Sequence, residues 1–295
     1  ADLNAASVVK SIKRALNPKY DCEIRTKFFG NMTVSASSVG SHTVAIKTKT
    51  AQPIMPALMG TMTITSPNTQ EAKGVRNPQG TGPYVFGKWT PGQSVTLKRF
   101  SGYWGSKPVV ENVKYVFRKE SAVRAAMVKT GEADIAPNIA VQDATDSKMD
   151  FSYFNSETAR LRIDMSQKPL DDIRLRKAMN LAIDLDALRG TIFAEGVVPQ
   201  TQIVVPSING HNPRLKPWPY NLNEAKKLVA AAKADGVDVG KEIVIIGRLG
   251  IYPNSTEAME AMHAMLSEAG FNLKIKMMET AGWLNFLSRP YAEDR

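Results

Sequence analysis

Cysteine is almost missing. The single Cys22 among 295 residues excludes an internal disulfide and a cysteine-based zinc site. Its plain reading is a half-buried apolar thiol. Histidine is nearly as scarce: His42, His211 and His263 are predicted on a strand edge, in a proline-rich loop and on a helix. No two of them share a ligand spacing such as i, i+4. No Gly-x-Ser-x-Gly elbow occurs, so the usual hydrolase nucleophile has no seat. No apolar run reaches the ~18 residues that a membrane helix needs. The opening Ala1-Asp2-Leu3-Asn4 is neither a signal peptide nor an initiator methionine, which predicts a removed leader or a piece of a longer chain. These absences leave no catalytic residue, no metal ligand set and no cofactor to assign.

Apolar residues make up 43% of the chain, enough for real cores. The net charge is +10, which on its own suggests nucleic acid or an acidic surface. The distribution argues otherwise. Residues 1–78 carry 10 basic and 4 acidic side chains, residues 79–158 carry 10 and 8, and residues 159–295 carry 18 and 16. The excess sits in the first quarter, yet no segment there is a dense Lys/Arg block. No aromatic–basic interleaving of an RNA-binding sheet appears either. No nucleic-acid partner is expected.

Along the chain, Asn4 can cap a helix from Ala5 to Leu16, with Val8, Val9, Ile12 and Leu16 on one face. Residues 32–36 and 43–48 read as short strands, and 53–59 as a short helix or packed loop. From Pro78 the texture changes. Gly80-Thr81-Gly82-Pro83 and Thr90-Pro91-Gly92-Gln93 are turns that bracket a strand starting at Tyr84, and Ser94 to Phe100 pairs back as a hairpin. Val113 to Arg118 is another strand. Ser121 caps a helix to Thr130, Gly131 closes it, and Ala133 to Ala136 is a short strand.

The remainder alternates strand and helix. Strands are expected at 159–165, 242–246 and 272–278. Helices start at Asp171 or Asp172, at Asp184, at Asn221 or Asn223, at Ser255 and at Thr280. Such alternation implies parallel units in an α/β domain. The chain stops at Arg295 in mid-pattern, which predicts truncation.

Several motifs tempt and fail. Gly82 to Lys88 has P-loop spacing, but Trp89 stands where Ser or Thr must hold Mg²⁺, and Pro83 has no N–H for a phosphate. A strand entering a hairpin explains it better. Asp171-Asp172 looks like a paired carboxylate, but at a helix start it is more simply a cap meeting the positive dipole end. Met259, Met262 and Met265 recur at helical spacing and read as core packing.

The run Gly80-Thr81-Gly82-Pro83-Tyr84, then Trp89, Pro91-Gly92 and Tyr103-Trp104-Gly105-Ser106-Lys107-Pro108, resembles the family 5 solute-binding proteins of ABC importers, the oligopeptide/dipeptide/nickel-binding type. The resemblance continues through Arg124-Ala125-Ala126, Gly131-Glu132-Ala133-Asp134-Ile135, Pro169 to Asn180 and Ala182-Ile183-Asp184. It implies a periplasmic-binding-protein-like α/β fold of class II, two-lobed, of cluster C type, truncated at both ends. The implied organisation is a small subdomain of lobe one at 1–78, a partial core of lobe one at 79–158 and a partial lobe two at 159–295. Family members are longer, and the acidic residue that grips a peptide's amino terminus falls in the part not matched.

The resemblance further implies a monomer, periplasmic or otherwise extracytoplasmic, with lipid anchoring left open. Two lobes close like a hinge on a peptide or small-molecule ligand, and the closed form docks on an ABC permease of the inner membrane. In open α/β folds, ligands sit beyond the carboxyl ends of the strands. Three places qualify. Pro137, Asn138 and Ile139 follow the strand at 133–136. Arg160 and Arg162 share one face of the strand at 159–165. Arg248 and Tyr252 follow the strand at 242–246. Each arginine is equally readable as a surface ion pair. Three together favour an anionic solute, bound through carboxylate or phosphate, such as an acidic peptide or an opine-type sugar phosphate. Trp283 is a candidate wall or a core residue. The alternatives are a chemosensory receptor protein on the same fold and a hydrolase built on Asp and Arg residues.

Overall fold

The computed structural model describes residues 3–20, 22–72, 74–77 and 79–287. Pro78, placed above at a change of texture, and Arg295, read above as a premature end, lie outside the described residues. The chain divides into two compact units, Ala1–Phe117 and Arg118–Arg295.

In the first unit, α1 (Ala5–Leu16) begins as expected. Ser7 N donates to Asn4 Oδ1 at 2.9 Å and Asn4 N donates to Ser7 Oγ at 3.1 Å, so two orphan helix N–H groups are satisfied reciprocally. The helix buries Val9 and Ile12 on an antiparallel hairpin, β1 (Val34–Val39) and β2 (Thr43–Thr48), against Ala36, Val44 and Ile46. α2 (Met55–Gly60) adds Met59 to the same small core.

The rest of this unit is an antiparallel meander of β3 (Tyr84–Thr90), β4 (Ser94–Arg99) and β5 (Asn112–Val116). The register slips between Phe86 and Lys88, leaving Gly87 in a bulge. A Cβ on Gly87 would meet Thr96 Oγ1 at 2.8 Å, and that same hydroxyl accepts from Lys88 N. The segment with P-loop spacing is therefore a bulged strand. The turn and loop around it are tied by Trp104 Nε1 donating to Thr81 O, Tyr84 OH to Val110 O, and Arg99 Nη1 to the carbonyls of Pro108 and Val109.

The second unit holds α3 (Ser121–Lys129), α4 (Ile173–Ala182), α5 (Leu222–Ala234), the parallel pair β6 (Ile243–Arg248) and β7 (Leu273–Met278) with α6 (Ser255–Glu268) crossing between them, and α7 (Thr280–Leu287). One core joins α4, α5, α6, β6 and β7. Leu175, Ala178 and Ala182 of α4 pack with Ala225, Val229 and Ala232 of α5, and with Ile245, Met259, Leu266 and Phe271. The alanines let α4 and α5 approach closely, and each fully buried Leu contributes about 1.5–3 kcal/mol.

Three expected elements are not formed. Residues 133–136 make no strand and hang from α3 through Ala133 N donating to Met127 O. Residues 159–165 run without strand pairing, although Ile163 still turns to the core while Arg160 and Arg162 are exposed. Alternation predicts an extended conformation, but a strand also needs a neighbour, and neither segment has one among the described residues. Asp184 accepts from the N–H groups of Asp186 and Ala187 as a cap would, but turns follow it instead of a helix. Gly190, at φ 69°, bends the chain, and its N–H donates to Phe193 O, closing a loop.

Asp172 rather than Asp171 caps α4, with Oδ1 accepting from Arg174 N at 2.7 Å. The guanidinium of Arg174 folds back on the same carboxylate, with Nη2 at 2.7 Å from Oδ2, and its Nη1 reaches Asp235 at the end of α5. The Arg174 hydrogen bond, more than any other contact, holds the Asp172 carboxyl below its ordinary range. A depressed folded pKa stabilises above the unfolded value and is lost as pH falls through the folded one. Acid titration of urea-unfolding stability from neutral pH to below ~4 should therefore show a steeper loss in the native chain than in Asp172→Asn. That variant keeps a capping oxygen without the charge. Parallel curves would show that the pair contributes nothing.

Candidate functional site

The candidate region lies within the second unit. It begins with a hydroxyl diverted from its expected task. Ser121 is the first residue of α3, not its cap, and Glu120 precedes the helix without a side-chain capping bond. Ser121 Oγ instead accepts from Ala140 N at 2.8 Å. One turn on, Arg124 donates through Nη1 to Arg118 O and through Nη2 to Asn138 O at 2.7 Å. These bonds fasten the segment Pro137-Asn138-Ile139 to the start of α3. Asn138 sits at φ 57°, a left-handed conformation that asparagine tolerates better than other side-chain-bearing residues.

The second part is the loop at the carboxyl end of β6. Arg248 is the last residue of that strand, two positions beyond the end expected at Ile246, so it belongs to the strand instead of following it. Its guanidinium stacks over the Trp283 ring of α7, 4.9 Å from the centroid. Its Nε is buried and has no hydrogen-bond partner among the described residues. Tyr252, half-buried, lies in the turn that follows, and its carbonyl accepts from Ser255 N at the start of α6.

Asn254 joins the two parts. It is the other non-glycine residue with positive φ among the described residues, at 58°. Its side chain does not cap α6. It exchanges two hydrogen bonds with the amide of Gln142, at 2.9 and 3.0 Å, and donates to Ile192 O at 2.9 Å. Three loops far apart in sequence meet at one amide.

The segment that begins with Pro137, Asn138 and Ile139 is thus bonded to α3 at Asn138 and Ala140, and three residues past Ile139, at Gln142, to Asn254 of the loop after β6 that also carries Tyr252. The structure does not bond Arg160 or Arg162 to these segments; both are exposed on the unpaired stretch. Sequence reasoning missed Ser121, Gln142 and Asn254 as parts of the site. Asn254 had one visible signal: Pro253-Asn254-Ser255 before a helix offers two capping candidates, leaving one side chain free.

The electrostatics are one-sided. Arg124 has only backbone carbonyls as partners, and Arg248 a π face. Neither charge is in ion-pair reach of a carboxylate among the described residues. A concavity of about 590 Å³ lies elsewhere, among Lys233, Val237, Gly240, Gly270 and Asn272 at the amino ends of β6 and β7. No buried unpartnered side chain aims into it, so it is not the candidate site. No group of His, Cys, Asp and Glu able to hold a metal exists among the described residues. No helix there is long and apolar enough to cross a membrane.

Asn254→Gly should keep the left-handed backbone while untying Gln142 and Ile192. Asn254→Ala loses both. We expect faster amide exchange around 137–142 and 249–254 in the glycine variant, with a stability loss of about 1 kcal/mol from the broken bonds. The alanine variant should lose more, since Cβ-bearing non-Asn residues pay for positive φ. Equal stability of the two would remove the backbone part of this account.

Residues 1–292 match the profile of the bacterial extracellular solute-binding proteins, family 5. The chain is 31% identical over 245 residues to the glutathione-binding protein GsiB of Escherichia coli K12, covering 78% of this chain and 47% of that protein. It is 26% identical over 221 residues to the dipeptide-binding protein of the same organism, covering 72% and 40%. The crystal structure of a dipeptide-binding protein from Pseudoalteromonas sp. SM9913 in complex with Met-Leu superposes with a TM-score of 0.78 at 20% identity, over 96% of this chain and 60% of that one. The chain thus spans about half the length of the curated relatives it matches. With the hairpin motifs tied as described and the α/β unit in place, the chain belongs to the family 5 extracellular solute-binding proteins.

Proposed function

We propose that this chain captures an anionic peptide or similar small acidic solute for an ABC importer and hands it to the membrane permease. The observation that carries the anionic part is Arg248. A guanidinium at the carboxyl end of β6 is stacked on Trp283, partly withdrawn from water, and has no carboxylate partner among the described residues. A carboxylate arriving there meets a preorganised fork with little ordering left to do. Arg124 adds a second charge that backbone carbonyls orient without cancelling. Pro137, Asn138 and Ile139 would present backbone and amide groups on the tethered segment, and Tyr252 a phenol from the turn after β6. Arg160 and Arg162 belong to this reading as mobile cations that join only on binding. Glutathione, a peptide with two carboxylates, is the natural first probe, because a relative at 31% identity is named for binding it.

The role is binding without turnover. The support for this is that the matched relatives are named as binding proteins. Energy for transport comes from a separate ATPase, consistent with the bulged strand at Gly82–Lys88. A monomer acting outside the cytoplasm fits the family.

Calorimetric titration with glutathione, and with a neutral amidated dipeptide, tests the reading. We expect binding of the acidic peptide and a loss of at least tenfold in Arg248→Ala, about the value of one charged hydrogen-bonded contact. Trp283→Leu should lose affinity too, by releasing the guanidinium. Preference for the neutral peptide, or equal binding by Arg248→Ala, would overturn the proposal.

A further inference from the structure

The division of the chain at Phe117 separates its charge completely. The first unit carries 15 basic and 5 acidic side chains, net +10, and the second carries 23 of each, net zero. The whole excess of the chain therefore belongs to residues 1–117, although no dense basic block exists in that sequence.

The sheet register builds such a block from separate strands. Thr96 of β4 pairs with Lys88 of β3 on one side and with Lys114 of β5 on the other. Directly opposed residues in antiparallel strands project from the same face. Lys98, two positions after Thr96, projects from that face as well. Arg99, by the same period, leaves on the other side, where it binds the carbonyls of Pro108 and Val109. The opposite face is apolar, with Phe86 opposed to Leu97 and Trp89 to Val95.

Lys88, Lys98 and Lys114 are all exposed, and none has a carboxylate in ion-pair reach among the described residues. A solvent face kept only for solubility mixes charges of both signs. This face carries three lysines, no acid, and a dent of about 250 Å³ lined by Gly87, Thr96, Lys98, Asn112 and Lys114. A Cβ at position 87 would crowd Oγ1 of Thr96, which also lines the dent, at 2.8 Å.

We infer that this face of the β3–β4–β5 sheet docks on an anionic lipid surface, with a phosphate headgroup entering the dent between Lys98 and Lys114. Lipid is favoured over a single acidic protein site for two reasons. The charge is spread over a whole unit rather than focused in one pocket. The three lysines also lie on a broad sheet face, where compact ammonium groups meet many phosphates without needing a fixed fork. The inference does not depend on which solute the second unit binds.

Co-sedimentation of the chain with vesicles tests it. We expect partition onto phosphatidylcholine vesicles containing phosphatidylglycerol, none onto phosphatidylcholine alone, and loss of binding toward ~1 M salt, where screening falls to about 3 Å. Lys88→Gln, Lys98→Gln and Lys114→Gln together should lower the partition coefficient by about a hundredfold, and Lys98→Gln alone by about fivefold. Glutamine substitutions at the exposed Lys148, Lys216 and Lys241 of the second unit should leave it unchanged. Circular dichroism would confirm that the variants are folded. Equal partition onto both vesicle types, undiminished binding by the triple variant, or binding to poly-glutamate without binding to vesicles would each overturn the assignment.

Discussion

The parallel pairing of β6 with β7 constrains most of what the second unit does. Parallel neighbours cannot be joined by a tight turn, so the chain must leave β6, run back as α6 and re-enter as β7. That return demands close packing of helix on strand. Gly247 supplies it: a Cβ there would collide with the thioether of Met277 and meet Met259 Cγ at 3.1 Å. The next residue is Arg248, fixed at the strand's carboxyl end because its neighbour is pinned from both sides. The loop that opens the crossover ends at Asn254, whose side chain ties it to Gln142 and Ile192. Core, cation and loop anchor all follow from one topological requirement.

Arginine shows three distinct solutions to the cost of partial desolvation in this unit. Arg174 is neutralised by Asp172 and Asp235 and acts as a clasp between α4 and α5. Arg124 is solvated by carbonyls, which replace water without removing charge. Arg248 rests on an indole face. Only the first is electrically closed. A ligand carboxylate gains little near Arg174, because it would have to displace two others. It gains most near Arg248, where Nε is buried and its hydrogen bond unmade. The chemistry of partners, rather than the presence of arginine, separates a closed ion pair from a cation left available.

The sequence made the helices and the hairpin motifs legible, because capping residues and turn glycines act over a few positions. Asn4, Asp172 and Asn221 cap where their spacing placed them. Gly131 and Gly236 take the left-handed turn after α3 and α5. Strands were legible only where a partner lies nearby in sequence or across one helix. Residues 133–136 and 159–165 have strand composition and no partner, and composition cannot report a partner. Asn138 was placed after a strand at 133–136 that does not form; as a candidate, the region was legible by topology only at Arg248, which ends β6. Its fastenings were not, because Gln142 and Asn254 are 112 positions apart and nothing local marks either as half of a pair. Ser121 was misread for a related reason: a serine at a helix start caps by default, and only the arrival of Ala140 N redirects it.

Charge was the feature most misleading when read linearly. The excess looked confined to residues 1–78, and Lys88, Lys98 and Lys114, separated by ten and sixteen positions, did not read as a group. Pleating and antiparallel register place them together. The two units then hold positive charge in two forms with different reach. In the first unit it is exposed and summed, so it acts over about a Debye length, roughly 10 Å at 0.1 M salt, and fades as salt rises. In the second it is balanced to zero overall, and at Arg248 it lies half-buried against an aromatic ring, where interaction is short-ranged and far less screened. Salt therefore separates them: added electrolyte should weaken surface attraction by the first unit long before it weakens contact recognition by the second. A sequence-wide net charge merges these two terms, and only the division at Phe117 and the pairing of β3, β4 and β5 pull them apart.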